Sequence, residues 1–443
     1  MFDIDYYLSQ LPEDIEIIDV SYKLLPTIPS LKKFSHLKIL FCGNNLLTSL
    51  PEIPDSLEEL FCNNNQLKNL PPYHENLKIL YCEGNKLTEL PDFNENMEEI
   101  ICNNNDLRKI PKLNQKLKLL ACSNNNISEL PELNENLLDL DCDGNKLNYL
   151  PPLNKNLIHM NCNYNCLKEL PPLNEKLEVL QCACNQIKYL PPLNENLYEL
   201  HCQNNFLSYL PKLNKKLRDL FCGNNDILEL PEFNEELQIL YCYNNSLSFL
   251  PEFNENLEVV FCSNNRLTSL PRFSKNLHTL YCNQNFIKEI PYLNEKLIIL
   301  HCQNNLLTKL PPLNYHLQIL FCHNNQINYI PPFNEYLRIF NASYNQIYSL
   351  PDFPDTIEQI YIYHNPINRI IPPNHSDFSN MKKNIKIMNK FRFLFYSLKC
   401  KKQLMKILWE KVREPLIMKK YHPSKLLDYL NEEKDMDEFL LRW

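Results

Sequence analysis

Apolar residues in this chain recur with a period too long for a helix and too regular for unrelated strands. One unit reads Leu57-x-x-Leu60-x-Cys62-x-x-Asn65-x-Leu67-x-x-Leu70-Pro71, and the next begins at Leu77. Asn returns at every twentieth position from 45 to 365, which gives 17 units without an insertion. An aliphatic residue or Phe fills the Leu60 position in every unit, and Pro follows the last apolar position from 51 to 351. Within a unit, apolar alternation at 60 and 62 predicts a short strand around 59–63, with Leu60 and Cys62 inward and Glu59, Phe61 and Asn63 outward. The prolines predict an extended return segment, since Pro cannot continue a helix and has no N–H to donate. A degenerate 22-residue unit, Ile15-x-x-Ile18-x-Val20, precedes the array.

After Asn365-Pro366 the period breaks. Met381, Ile385, Met388, Phe391, Phe395 and Leu398 recur at three- and four-residue steps, which predicts a helix with one apolar stripe. A second run holds Leu404, Leu408 and Val412 and is expected to stop at Pro415, with a third starting at Pro423. The expected organisation is an N-terminal cap with a degenerate repeat over 1–36, a solenoid over 37–371 and a basic helical segment over 372–443. The bland role for that segment is to cover the open end of the solenoid core.

The unit matches the leucine-rich repeat signature, L-x-x-L-x-L-x-x-N-x-L, with Cys in place of the third Leu. The fold this resemblance implies is a curved leucine-rich solenoid, a parallel β-sheet with an extended, polyproline-like convex side, plus a C-terminal α-helical cap. Leu190-Pro-Pro-Leu193-Asn-Glu-Asn-Leu197 also resembles the short repeats of bacterial effector leucine-rich proteins, although Asn194 stands where those place a second Pro. The Cys-rich, Asn-rich, Gly-poor version over 37–371 resembles repeat proteins of giant DNA viruses of amoebae (Mimivirus-like), as does the tail with Leu408-Trp-Glu-Lys-Val412 and Tyr421-His-Pro423.

Composition narrows the chemistry. Of 443 residues only 4 are Gly, too few for the Gly-rich loops that wrap phosphates, so nucleotide-dependent enzymes and small-molecule cofactors are not expected. Fifteen of the 18 Cys occupy every twentieth position from 42 to 322, each at a core position, which predicts a ladder of reduced, buried thiols. A straight row offers no convergent tetrahedral set, so no metal site is expected. Cys166, Cys184 and Cys400 lie off the ladder, with no paired His and orienting carboxylate to make a nucleophile. The chain is read as non-catalytic.

The formal net charge of −8 is unevenly spread. Residues 372–443 hold 16 Lys and Arg against 9 Asp and Glu, leaving 29 basic and 44 acidic side chains of the total 45 and 53 for residues 1–371. The N-terminus, Met1-Phe-Asp-Ile-Asp5, lacks the pattern of a signal peptide, and no apolar run approaches a membrane span, so an intracellular protein is expected.

In a solenoid, recognition resides in the variable outward residues of the strands. Here the central outward position carries Phe41, Phe61 and Tyr81, then Ile101 and Ala121, then the polar Asp141, Asn161 and Gln181, and then His201, Phe221, Tyr241, Phe261, Tyr281, His301 and Phe321. Two residues earlier stand Ile239, Val259 and Ile299. These are the expected contacts with a protein ligand on the concave face, because contiguous exposed aromatic patches mark interfaces. Aromatic stacking that merely stabilises the sheet is the competing reading. Asp139, Asp141 and Asp143 form an acidic strip, too widely spaced to hold one small cation but able to attract a basic partner. Two other functions remain open. One is a substrate receptor of a ubiquitin ligase, since Leu11-Pro12-Glu13-Asp14-Ile15 resembles the opening of an F-box, although a complete three-helix F-box does not fit before the repeats. The other is an adaptor docked on membrane or nucleic acid through the basic tail, where 382–420 holds 13 basic and 2 acidic side chains.

Overall fold

The computed structural model describes residues 2–371 and 378–420. A short helix, α1 (Ile4–Ser9), is capped by Asp3, whose side chain accepts from the Tyr6 backbone N–H at 3.0 Å. Three-residue strands follow, β1 (Ile17–Asp19), β2 (Ile39–Phe41) and then one every twenty residues to β18 (Gln359–Tyr361). Each pairs in parallel with the next, and the register never slips: Leu60 lies opposite Leu80, and Phe61 opposite Tyr81. The degenerate unit supplies β1, so the sheet has 18 strands for 17 regular units.

Each strand is three residues long because only three outward-inward-outward positions are needed to place one core side chain and two surface ones. Leu60 and Cys62 are buried as expected, and the same holds in every later turn, where Leu, Cys or their Ala and Ile replacements are almost wholly covered. All fifteen ladder thiols are unpaired and buried. Burial pushes Cys42, Cys102 and Cys222 up to about 12, because a thiolate there would lose its water with no cation to replace it. They are inert packing groups.

The repeated Asn does what the core cannot. Asn205 accepts the Ile187 N–H at 2.9 Å and donates to the carbonyls of Cys182, Cys202 and Gln203 at 3.0, 3.2 and 3.3 Å. One side chain thus satisfies backbone groups of two turns that would otherwise be buried unpaired. A second ladder, unforeseen from the sequence, stands at the position where Asn194 replaces Pro. Asn154 donates to the carbonyls of Asn134 and Leu137 at 2.6 and 3.0 Å and accepts from the N–H groups of Asn156 and Leu157 at 2.9 and 2.7 Å. Losing a second Pro therefore gains an inter-turn staple on the return segment.

The chain leaves each strand through a left-handed residue. Gly84 and Gly144 have φ of +66° and +60°, and in other turns Asn takes the position, at 55° for Asn104 and 53° for Asn224. Asn tolerates this conformation because its short side chain bonds locally. Tyr164, Cys184 and Tyr344 adopt it without that compensation.

The chain divides into two units, one running to Tyr348 and including Pro354–Pro366, the other Ser349–Phe353 with the residues from Ile367 onward. In the second unit, α2 (Phe378–Leu408) is followed by a widened π turn (Trp409–Arg413) and α3 (Glu414–Lys420). Two sequence expectations need correction here. The apolar stripe is buried only at Met381 and Ile385, whereas Phe391, Phe395 and Leu398 are exposed. Phe393, Leu394 and Tyr396 place further apolar groups around the rest of the helix, so no single face collects them. Pro415 also fails to stop the helix. The π turn moves the bonding by one residue, with the Glu414 N–H donating to the Trp409 carbonyl, and Pro415 then falls in the first turn of α3, where an N–H is not needed. Asn389 anchors α2 within this unit, donating to the Leu350 carbonyl at 3.0 Å and to Asp352 Oδ1 at 2.8 Å. The helix expected from Pro423, and Tyr421-His-Pro423, lie outside the described residues.

Candidate functional site

Because the strands stay in register, a side chain at the central outward position of one turn stands against its equivalent in the next, and rings there must stack. They do so in two runs. Phe41, Phe61 and Tyr81 form the first, with ring centroids 4.6 and 4.9 Å apart. His201, Phe221, Tyr241, Phe261, Tyr281, His301 and Phe321 form the second, an unbroken row of seven with separations of 4.1 to 4.8 Å. Ile239, Val259 and Ile299 lie beside the second run, half-buried like the rings. The sequence-predicted contacts are therefore not one patch. Six strand steps, about 29 Å at ~4.8 Å each, separate the two runs.

The gap between them starts with the small and aliphatic side chains of Ile101, Leu119 and Ala121 and turns polar from Asp139. On β7 (Asp139–Asp141), Asp139 Oδ2 lies 3.2 Å from His159 Nδ1, and Asp141 accepts from the Ser123 hydroxyl. Asp143 lies just past the strand, half-buried, and its carboxyl is held above the ordinary carboxylate range first by burial and then by Asp141. Asp219 is raised in the same way, by burial and then by Glu199. Glu199 Oε1 lies 2.8 Å from His201 Nε2, at the edge of the long ring run.

Taken along the three outward positions of every turn, the face has a charge pattern that sequence reading recognised only at Asp139, Asp141 and Asp143. Its carboxylates are Asp19, Glu59, Glu83, Glu99, Asp139, Asp141, Asp143, Glu199 and Asp219, and no Lys or Arg occupies any of these positions. All nine lie on β1 to β11 (Asp219–Phe221) or, for Glu83 and Asp143, just past the end of a strand in that range; from β12 (Ile239–Tyr241) onward the face is uncharged apart from His. The signal was present as a missing residue type in three periodic columns. Lys and Arg sit one column away instead, where Lys38, Lys78 and Lys118 alternate with Glu58 and Glu98 in exposed pairs such as Lys78–Glu58 at 2.6 Å.

His301 is stacked between Tyr281 and Phe321, and its pKa is pushed down to about 4, chiefly by burial and further by the nearby His323. Off the face, Cys184 accepts from Asn204 Nδ2 at 3.4 Å. Among the described residues no group of three or more His, Cys, Asp or Glu could hold a metal ion, and no helix is long and apolar enough to cross a membrane. The segment before β1 contains α1 and no further helix, which does not make an F-box.

A family model described as leucine-rich repeats in two copies matches residues 55–95 and 255–295. Among solved structures, YopM from Yersinia enterocolitica is 30% identical with a TM-score of 0.69, and the match covers 82% of this chain and 88% of that one. A leucine-rich repeat protein of Leptospira interrogans is 25% identical with a TM-score of 0.62, covering 73% and 93%. YopM from Yersinia pestis, described as a leucine-rich effector protein, is 28% identical with a TM-score of 0.50, covering 79% and 88%. No curated protein matches the chain.

Proposed function

Because this chain belongs to the leucine-rich repeat family, with 20-residue units like those of YopM, we propose that it is a non-catalytic scaffold that grips a protein on its sheet face. The observation that carries this reading is the seven-ring row from His201 to Phe321, flanked by Ile239, Val259 and Ile299. Its rings are half-buried by one another and keep an open side, and a continuous aromatic and β-branched surface of this kind is what buried interface anchors are made of. The shorter row at Phe41, Phe61 and Tyr81 is a second contact zone about 29 Å away, so the partner is a domain or a long segment rather than a small molecule. Rings that served only to stiffen the sheet would be expected along its whole length, whereas β5 to β9 do without them. The unpaired ladder thiols suit a reducing compartment, and an intracellular setting, the host cytoplasm if the chain is viral, is part of this reading.

The test is affinity capture with the full chain and with a variant in which Phe221, Tyr241, Phe261 and Tyr281 become Ser. The expected result is a folded variant that loses the partners held by the parent. A folded variant that keeps them all would overturn the reading.

A further inference from the structure

The exposed positions of the return segments carry mostly charged residues, Asn or Pro, and three of them depart from this close together. Tyr292, Tyr315 and Tyr336 are each the only Tyr at their position in the repeat. At 84% exposure Tyr292 adds almost nothing to packing, so stability gives no reason for it. Tyr292, Pro312 and Tyr315 line one cavity of about 520 Å³ together with Glu295 and His316. Among the described residues the Tyr292 and Tyr315 rings make no contact with each other, which leaves the space between them open. Tyr315 is held from behind: Tyr336 packs edge-on against it at 4.8 Å and accepts its hydroxyl at 3.3 Å, and His316 packs edge-on at 5.3 Å. The second Asn ladder also changes partner here. Asn334 donates to the Asn314 carbonyl at 2.6 Å, but Asn314 donates one residue further along, to the Glu295 carbonyl at 3.1 Å, which ties the Tyr315 segment to Glu295. Glu295 itself is exposed and, among the described residues, has no ion-pair partner. At the same position of the repeat Glu135 pairs with Lys155 at 3.1 Å and Glu255 with Lys275 at 3.2 Å, each one turn on, whereas the residue one turn on from Glu295 is Tyr315.

We propose that this cavity binds a methylated ammonium group, seated between Tyr292 and Tyr315 with Glu295 as its counter-ion. The face of a Tyr ring attracts a cation through its quadrupole, and the attraction grows as the cation sheds water. An unmethylated ammonium brings three N–H donors that need acceptors, and two rings and Pro312 supply none. Methylation removes those donors and spreads the charge over an apolar surface, which suits walls made of rings and Pro with a single carboxylate. Two sources can present this group, a free quaternary amine or a methylated lysine side chain of another protein. The cavity lies on the return segments and shares no residue with the outward ring row, so this site stands or falls separately from the scaffold reading.

The test is calorimetric titration of the full chain with tetramethylammonium and with a Gly-Ser peptide carrying one trimethyl-lysine. Two further peptides serve as comparison, one with plain Lys and one with a neutral side chain ending in tert-butyl, which keeps the shape and loses the charge. Binding of tetramethylammonium alone assigns the site to free amines, binding of the trimethylated peptide alone assigns it to a protein side chain, and binding of both shows that it accepts the group from either. The plain and neutral peptides should bind at least about tenfold more weakly than the trimethylated one. Tyr292→Ala should weaken binding of whichever methylated probe binds by about tenfold, and Glu295→Gln by a smaller factor, whereas Tyr292→Phe, which keeps the ring, should change it by less than about twofold. Both positions are exposed, so these variants keep the fold, and Tyr209→Ala, which removes an exposed ring elsewhere, should leave binding unchanged. Failure of both methylated probes to bind, equal affinity for the neutral and trimethylated peptides, or full binding by Tyr292→Ala would overturn the proposal.

Discussion

Every turn of the solenoid carries two stacked columns side by side, one facing out from the last residue of the strand and one facing in from the residue that follows it. The inward column is nearly uniform, Cys from 42 to 322, and the Asn three residues on never changes from 45 to 365. The outward column changes from Phe and Tyr through Ile and Ala to Asp, Asn and Gln and back to a run of rings. Both columns have the same backbone, spacing and register, so the difference cannot come from what the fold requires. A column that the fold needs is constant along the chain, and one that it leaves free can be given to recognition.

The comparison breaks most easily from the inside. Asn205→Ala leaves the Ile187 N–H and three carbonyls without their side-chain partner and should cost about 2–4 kcal/mol in denaturant unfolding, with a lower midpoint. Replacing the inward thiol Cys222 by Ser puts a hydroxyl into an apolar column and should cost about 1–3 kcal/mol, while Cys222→Ala should cost less than the Ser variant if the column needs apolarity rather than sulfur. On the outward side, His301 sharpens the contrast through pH. Its folded pKa is depressed to about 4 from 6.5, so the unfolded chain takes up a proton first. Stability should therefore fall as pH drops from about 6.5 through about 4, and His301→Phe, which keeps the ring row, should flatten that arm in acid unfolding curves. A residual slope from His323, whose pKa is also lowered by burial, should remain. The smallest effect is expected at the turn: Cys184→Asn places a residue that tolerates φ near +54° and should raise the unfolding free energy by about 0.5–1 kcal/mol, read as a higher denaturation midpoint.

Most of the solenoid was legible because its determinants are periodic and local. The core Leu and Cys, the capping Asn and the extended Pro segment each follow from a residue type returning every twenty positions. The second ladder, Asn from 94 to 334 with Ser274 once in its place, was nearly as periodic but was read as a lost Pro, because the bonds that join turns run to carbonyls of the preceding unit and no single unit displays them. The tail was misjudged for a different reason. Spacing of three and four identifies a stripe only when the remaining positions are polar, and Phe393, Leu394 and Tyr396 are not. Pro415 likewise reads as a stop unless a widened turn precedes it, which depends on backbone bonding that composition does not reveal. At the candidate site, the rings were identifiable one by one, but that each run packs ring against ring at 4.1 to 4.9 Å follows only when turns are stacked in register.

The central claim is that the inward ladders hold the protein together and the outward ring row does not. It is tested most directly by equilibrium denaturation of the Phe221, Tyr241, Phe261 and Tyr281 to Ser variant beside Asn205→Ala. The variant breaks five ring pairs of the row, each contributing roughly 0.2–1 kcal/mol on a half-exposed face, so this account predicts that four lost rings together cost about 1–5 kcal/mol, comparable with the loss from the single Asn. A ring variant that unfolds well before Asn205→Ala would contradict it, and would make the row a structural spine rather than a binding surface.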